Sequence, residues 1–132
     1  MKVLLVCLMI VGLMGCSTIP VKPISQGDLP DLKGEWEGMR YGINYTAPTE
    51  LKIIEVSPLP LKAEVIFYRT WSGTVTSRLT GELKDGKLFF VARNKDYWLK
   101  LMLRSGNGKM ELEGDYQWSI YGRGTVFFSK KR

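Results

Sequence analysis

The sequence predicts an all-β domain: an eight-stranded antiparallel up-and-down barrel, with a two-sheet sandwich as the alternative architecture. Three observations carry this expectation. Beyond Leu32, apolar and polar residues alternate with a period of two, which marks strands with one buried and one solvated face. Turn signals recur between the alternating runs, and no stretch after residue 30 keeps helical spacing over three turns. The runs number eight, the count at which a sheet closes around an interior that is just filled or holds one small ligand.

In chain order the candidate strands cover about 34–45, 49–57, 61–69, 74–83, 87–93, 97–104, 109–118 and 122–129. In the third, Leu61, Ala63, Val65 and Phe67 share one face while Lys62 and Glu64 take the other. In the fourth, Val75, Leu79 and Leu83 alternate with Thr74, Thr76, Arg78, Thr80 and Glu82. In the seventh, Met110, Leu112, Tyr116 and Trp118 alternate with Lys109, Glu111, Glu113, Asp115 and Gln117. Asp85-Gly86 between two apolar runs is the strongest short hairpin signal. Asn94-Lys95-Asp96 and Ser105-Gly106-Asn107-Gly108 mark further turns, and Ser57-Pro58-Leu59-Pro60 a loop. Strands joined so briefly are antiparallel neighbours, and closing the meander removes its exposed edges.

Upstream of the strands the chain changes character twice. A Met-Lys start is followed by an uncharged run from Val3 to Met14 and then by Gly15-Cys16. The run is shorter than the roughly 20 apolar residues of a spanning helix and matches an h-region of about 7–15. Leu13-Met14-Gly15-Cys16 resembles the cleavage site of a bacterial lipoprotein signal peptide. The resemblance implies that residues 1–15 are removed and that Cys16 carries the lipid, leaving a mature chain of 117 of the 132 residues. Ser17 stands where an aspartate resembles an inner-membrane retention signal. The resemblance therefore implies the cell envelope, at the periplasmic face of the outer membrane in a Gram-negative host. Several acyl chains, each buried CH₂ adding about 0.8 kcal/mol, make a firm anchor. Residues 16–31 carry three prolines, one glycine and no aromatic, and read as a tether. Extended at about 3.1 Å per residue, the tether spans some 45 Å. Residues 32–132 form the barrel domain.

Gly34-Glu35-Trp36 resembles the opening of the first strand in lipocalins and the wider calycin barrels. The resemblance implies that Trp36 plugs one end of the barrel and that an arginine near the last strand, here Arg123, packs over its indole. A cation–π contact of that kind contributes about 0.5–2 kcal/mol. The chain is short for a lipocalin and nearer the compact avidin-type barrels.

Composition excludes most catalytic chemistry. There is no histidine, so the commonest general base, the usual triad and most zinc sites are missing. Cys7 leaves with the signal and Cys16 bears lipid, so no thiol serves as nucleophile, metal ligand or disulfide partner. Glu111, Glu113 and Asp115 alternate with apolar residues and belong on the outside, while the side taken by Glu35 and Glu37 stays open. Gly106-Asn107-Gly108 precedes no helix and is no phosphate loop. No metal, no cofactor beyond the covalent lipid, and no enzyme activity are expected. The mature chain keeps 18 basic against 13 acidic residues, a balance compatible with anionic envelope surfaces or with no charged partner. An exported protein has no nucleic acid to meet.

Aromatics are the stronger lead. Tyr41, Tyr45, Tyr68, Trp71, Tyr97, Trp98, Trp118 and Tyr121 fall near strand ends, where a barrel mouth lies, and offer an apolar body with a polar tip. The leading expectation is a lipid-anchored barrel binding a small apolar or amphipathic ligand inside, lined by Phe67, Arg69, Leu79, Tyr97 and Trp118. The alternative is a protein-binding module, an envelope assembly factor or an inhibitor of a lytic enzyme, touching its partner through Trp71, Trp118 and Tyr121. An interior filled by Phe, Leu and Met favours binding at the surface.

Overall fold

Each alternating run forms one strand, and the strands close on themselves. The computed structural model describes residues 19–93, 95–118 and 122–131. Among them are β1 (Val21–Lys22), a 3-10 turn (Gln26–Asp28) running into the single-turn helix α1 (Leu29–Leu32), β2 (Gly34–Gly42), β3 (Tyr45–Glu55), β4 (Leu61–Thr70), β5 (Gly73–Lys84), β6 (Lys87–Ala92), β7 (Tyr97–Gly106), β8 (Lys109–Trp118) and β9 (Arg123–Lys130). Strands β2 to β9 pair in sequence order, all antiparallel, and β9 returns to β2 through Trp36↔Lys130 to Tyr41↔Thr125. The result is a closed eight-stranded antiparallel barrel with one extra strand. One continuous sheet replaces the two of the alternative sandwich.

Closure depends on glycines where β2 and β9 nearly touch. A Cβ on Gly38 would lie 1.6 Å from the carbonyl oxygen of Phe127, and one on Gly124 would lie 1.9 Å from that of Tyr41. Only a residue without a side chain allows the two backbones so close, as at tight barrel corners.

The inward faces make a single core. Leu61, Ala63, Val65 and Phe67 of β4, Leu99, Leu101 and Leu103 of β7, and Leu112 and Tyr116 of β8 are all buried, together with Phe90 of β6 and Phe128 of β9. Glu35 and Glu37 face solvent, because Trp36 and Arg40 take the inward positions of β2.

The connection between β2 and β3 is tighter than expected. The turn is Ile43-Asn44, with Asn44 at φ +64°, and β3 begins at Tyr45 although Pro48 lies within it. Pro48 opposes Met39 of β2, whereas pairing with β4 starts at Thr49. Its missing N–H therefore costs no ladder bond.

The tether expectation for residues 16–31 is corrected from Ile19 onward. Strand β6 has six residues against ten in β7, which leaves the far end of β7 without a neighbour on that side. β1 takes the place, pairing Val21 with Arg104 and Lys22 with Leu103. Ser105 N donates to Pro20 O at 3.2 Å, and Ile24 N to Gly86 O at 2.9 Å. Ile24, Leu29 and Leu32 are then buried in the core, so this proline-rich stretch belongs to the domain. Asp28 fastens it: its carboxylate accepts bonds from Lys22 Nζ at 2.8 Å, Ser25 N at 2.9 Å and Ser25 Oγ at 3.0 Å. Those bonds, Lys22's first, hold the Asp28 pKa at about 2.

The two ends of the barrel consequently differ. One end, the base, holds α1 and the connections after β3, β5 and β7. The other, the mouth, gathers the connections after β2, β4, β6 and β8.

Candidate functional site

The mouth is organised around a residue that sequence reasoning passed over. Trp36, Gly38 and Arg40 share the inward face of β2, and the guanidinium of Arg40 is carried into the barrel, where the residue is 1 % exposed. Its Nη1 donates to Pro48 O at 2.9 Å and to Thr49 Oγ1 at 3.2 Å, and its Nη2 donates to Tyr68 O. Nε is buried with no acceptor. All three partners are neutral, and Arg40 forms no ion pair among the described residues. The cation lies between two rings, 5.5 Å from the centroid of Phe67 and 5.9 Å from that of Tyr45.

Tyr45 covers this cation from the mouth side. Its ring packs on Gly42, where an added Cβ would meet ring carbons at 2.1 and 2.2 Å. Its hydroxyl is hydrogen-bonded to that of Tyr116 on β8. Burial pushes the Tyr116 phenol pKa well above its ordinary value; the Tyr45 hydrogen bond adds to the shift and the nearby Arg40 charge opposes it. An aromatic cluster continues the wall. Phe67 lies 6.3 Å from Tyr97, 6.0 Å from Tyr116 and 6.5 Å from Trp118, and Tyr97 stacks on Trp118 at 6.1 Å.

Arg69 and Trp71 complete the rim. The register between β4 and β5 slips between Phe67↔Val75 and Thr70↔Gly73, with Arg69 at φ +58° in the irregularity. Such bulges re-aim a side chain, here outward over the mouth. Thr70 Oγ1 donates to Gly73 O at 2.6 Å and accepts from Ser72 N at 3.2 Å, shaping the turn that carries Trp71, which is 91 % exposed. Arg40, Tyr45, Thr46, Ala47, Arg69, Thr70, Trp71, Trp118 and Gly122 together line a cavity of 350 Å³. Among the described residues, two arginines and no acid contribute to it. A larger groove of 530 Å³ crosses the outer wall past Tyr41, Met102 and Phe127. Lys87, Lys100 and Asp115 also line it, with Glu113, which is bonded to Arg104.

The expected pocket residues are only partly brought together. Arg69 and Trp118 line the cavity, and Phe67 and Tyr97 stand behind Trp118. Leu79 does not belong: it opposes Ala63 and Ala92 midway along the wall and is buried in the core, while Val75 is the β5 residue opposite Phe67. Nor is the ligand space inside the barrel, because Phe67, Phe90, Phe128 and the leucines fill it. Tyr41, Tyr68 and Trp98 point to the outer side, with Trp98 stacked on Phe89 at 6.4 Å.

The pairing of Trp36 with Arg123 is also corrected. Trp36 is fully buried at the base, its Nε1 donating to Leu32 O at 3.0 Å, and the cation over its ring is Lys130 Nζ at 5.9 Å. Arg123 is exposed at the opposite end, beside Gln117, because β9 runs from the mouth to the base. Cys16 and Tyr121 lie outside the described residues. Among the described residues no three His, Cys, Asp or Glu groups converge as a metal site would need. Comparison with known protein families, with curated proteins and with solved structures gives no match.

Proposed function

We propose that this is a non-enzymatic binding protein of the cell envelope, anchored by lipid on Cys16, that receives a small amphipathic ligand in the mouth of its barrel. The observation that carries the reading is the 350 Å³ cavity rimmed by Tyr45, Trp71 and Trp118 above a filled core. Its size falls within the range of about 300–1,000 Å³ usual for small-ligand sites, and its aromatic walls with a few polar groups suit an amphiphile. Two of the chain's four tryptophans, Trp71 and Trp118, stand at the rim and will report occupancy. Purified protein titrated with medium-chain amphiphiles is expected to show saturable quenching that Trp118→Ala abolishes. Absence of saturable uptake refutes the reading. Anchoring is tested separately: labelled palmitate should enter the wild-type chain and not Cys16→Ser.

The protein-binding alternative draws on Trp71, since a large exposed tryptophan is the commonest kind of interface anchor. It predicts specific capture of an envelope protein that Trp71→Ala loses, with no saturable small-molecule uptake.

A further inference from the structure

We infer that the ligand's polar group is an anion, a carboxylate, and that Arg40 is the residue that binds it, with Tyr45 as the cover that must move aside. The inference rests on the mouth-binding reading and narrows it to one ligand class.

The argument begins with the arginine's donors. A guanidinium carries five N–H donors and no acceptor and stays charged in proteins. Three of the five are used, on Pro48 O, Thr49 Oγ1 and Tyr68 O; of the remaining two, one shares the Tyr116 hydroxyl and that of Nε has no acceptor among the described residues. A carboxylate offers two oxygens in one plane, and a two-bond fork between the groups is the geometry for which arginine is favoured. Charge leads to the same ligand. A buried cation is ordinarily paired, because desolvation is costly without a counter-charge. Arg40 has only neutral partners and two aromatic faces. Among the described residues no counter-charge pairs with it, so a bound anion is what completes the site.

The surroundings favour an anion with an apolar tail. Arg69 adds a second cation to the cavity lining. A cleft lined by one sign of charge draws in the opposite sign. Trp118 and Trp71 give the tail its apolar wall. Tyr45 closes the direct approach to Arg40: it is held by one hydroxyl bond to Tyr116 and by its packing on Gly42, and it begins β3 immediately after the two-residue turn. Rotation of this one side chain uncovers the guanidinium without disturbing the ladder.

The test compares sodium decanoate, 1-decanol and decyl phosphate in tryptophan-fluorescence titrations of the purified full chain. Decanoate is expected to bind at least about tenfold tighter than decanol, which is about 1.4 kcal/mol. Arg40→Gln should reduce that preference to less than about twofold, whereas Arg69→Gln should preserve it and Tyr45→Ala should preserve it with faster association. Equal binding of decanoate and decanol to the wild type overturns the inference while leaving the mouth-binding reading intact. Binding of neither overturns both. Loss of the preference in Arg69→Gln overturns the assignment to Arg40, and tighter binding of decyl phosphate overturns the choice of carboxylate. Should Arg40→Gln fail to fold by near-ultraviolet circular dichroism, the wild-type ratio and the Arg69→Gln ratio decide alone: a tenfold preference retained in Arg69→Gln supports the inference, and any other result overturns it.

Discussion

Replacing Leu32 by alanine removes three carbons from a fully buried side chain that seals the base of the barrel. At about 0.8 kcal/mol per buried carbon the transfer loss is about 2.4 kcal/mol. The cavity left behind adds to this, because the neighbours relax only in part, bringing the cost to about 3–4 kcal/mol. The bond from Trp36 Nε1 survives, since it falls on the Leu32 main-chain oxygen. With a urea slope of about 1–3 kcal/mol/M, the midpoint of unfolding should fall by about 1–4 M at unchanged slope. Trp36, packed beside Leu32, makes its fluorescence a direct probe of the transition. Ile43→Ala, in a turn residue 86 % exposed, is the matched control and should stay within about 0.5 kcal/mol of the wild type. If Leu32→Ala behaves like this control, the docked segment contributes nothing and residues 19–31 are a tether after all.

Lys130→Ala should destabilise the barrel by about 0.5–1 kcal/mol, through loss of its contact with Trp36 and of its bond to Asp31 O, while Arg123→Ala stays near zero in the same melts. Asp28 contributes through a depressed pKa, so its stabilisation is present above the unfolded value of 3.8 and is lost as pH falls through about 2. Hydrogen exchange at Ile24 and Ser105 should accelerate across that window in the wild type and show no such step in Asp28→Asn. Tyr116 works in the opposite sense. Because the folded chain holds the phenol proton more tightly than the unfolded one, stability falls as pH rises past its ordinary value of 10.0. Alkaline unfolding of Tyr116→Phe should lack that part of the slope.

Most of the barrel is legible in the sequence because its strands have one wet and one dry face. Alternation located β4, β5 and β8 closely, and Asp85-Gly86 placed the β5–β6 turn. The readings that failed are those in which a residue's usual preference conflicts with its position. Pro48 reads as a break, yet it occupies a stretch of β3 paired on one side only. Pro20, Pro23 and Pro30 read as spacer, yet the short β6 opens a slot that only a nearby segment can fill. Arg40 shows this conflict most clearly. Its parity with Trp36 on β2 assigns it to the interior, and that signal was available; its charge argued for solvent and hid it. Arg123 was matched to Trp36 by resemblance, but strand direction alone puts it at the far end of the barrel. Leu79 lies two layers too deep, a distinction that depends on register and not on pattern.

The docked N-terminal segment also sets an orientation. Arg104 Nη1 donates to Ile19 O at 2.9 Å, and Ile19 lies against Gly106, so the first described residue is fixed beside the β7–β8 turn at the base. Ser17 and Thr18 alone separate Ile19 from Cys16, a span of at most about 11 Å. If Cys16 carries the lipid proposed for it, the barrel would be seated with its base on the bilayer. Strands of ten residues tilted as barrel strands are hold the opposite rim roughly 25 Å higher. The leash that looked long enough to let the domain wander is nearly all taken up by the domain itself. In that arrangement Arg40 and the rim tryptophans would open away from the bilayer, and the ligand proposed for them would arrive from the aqueous side.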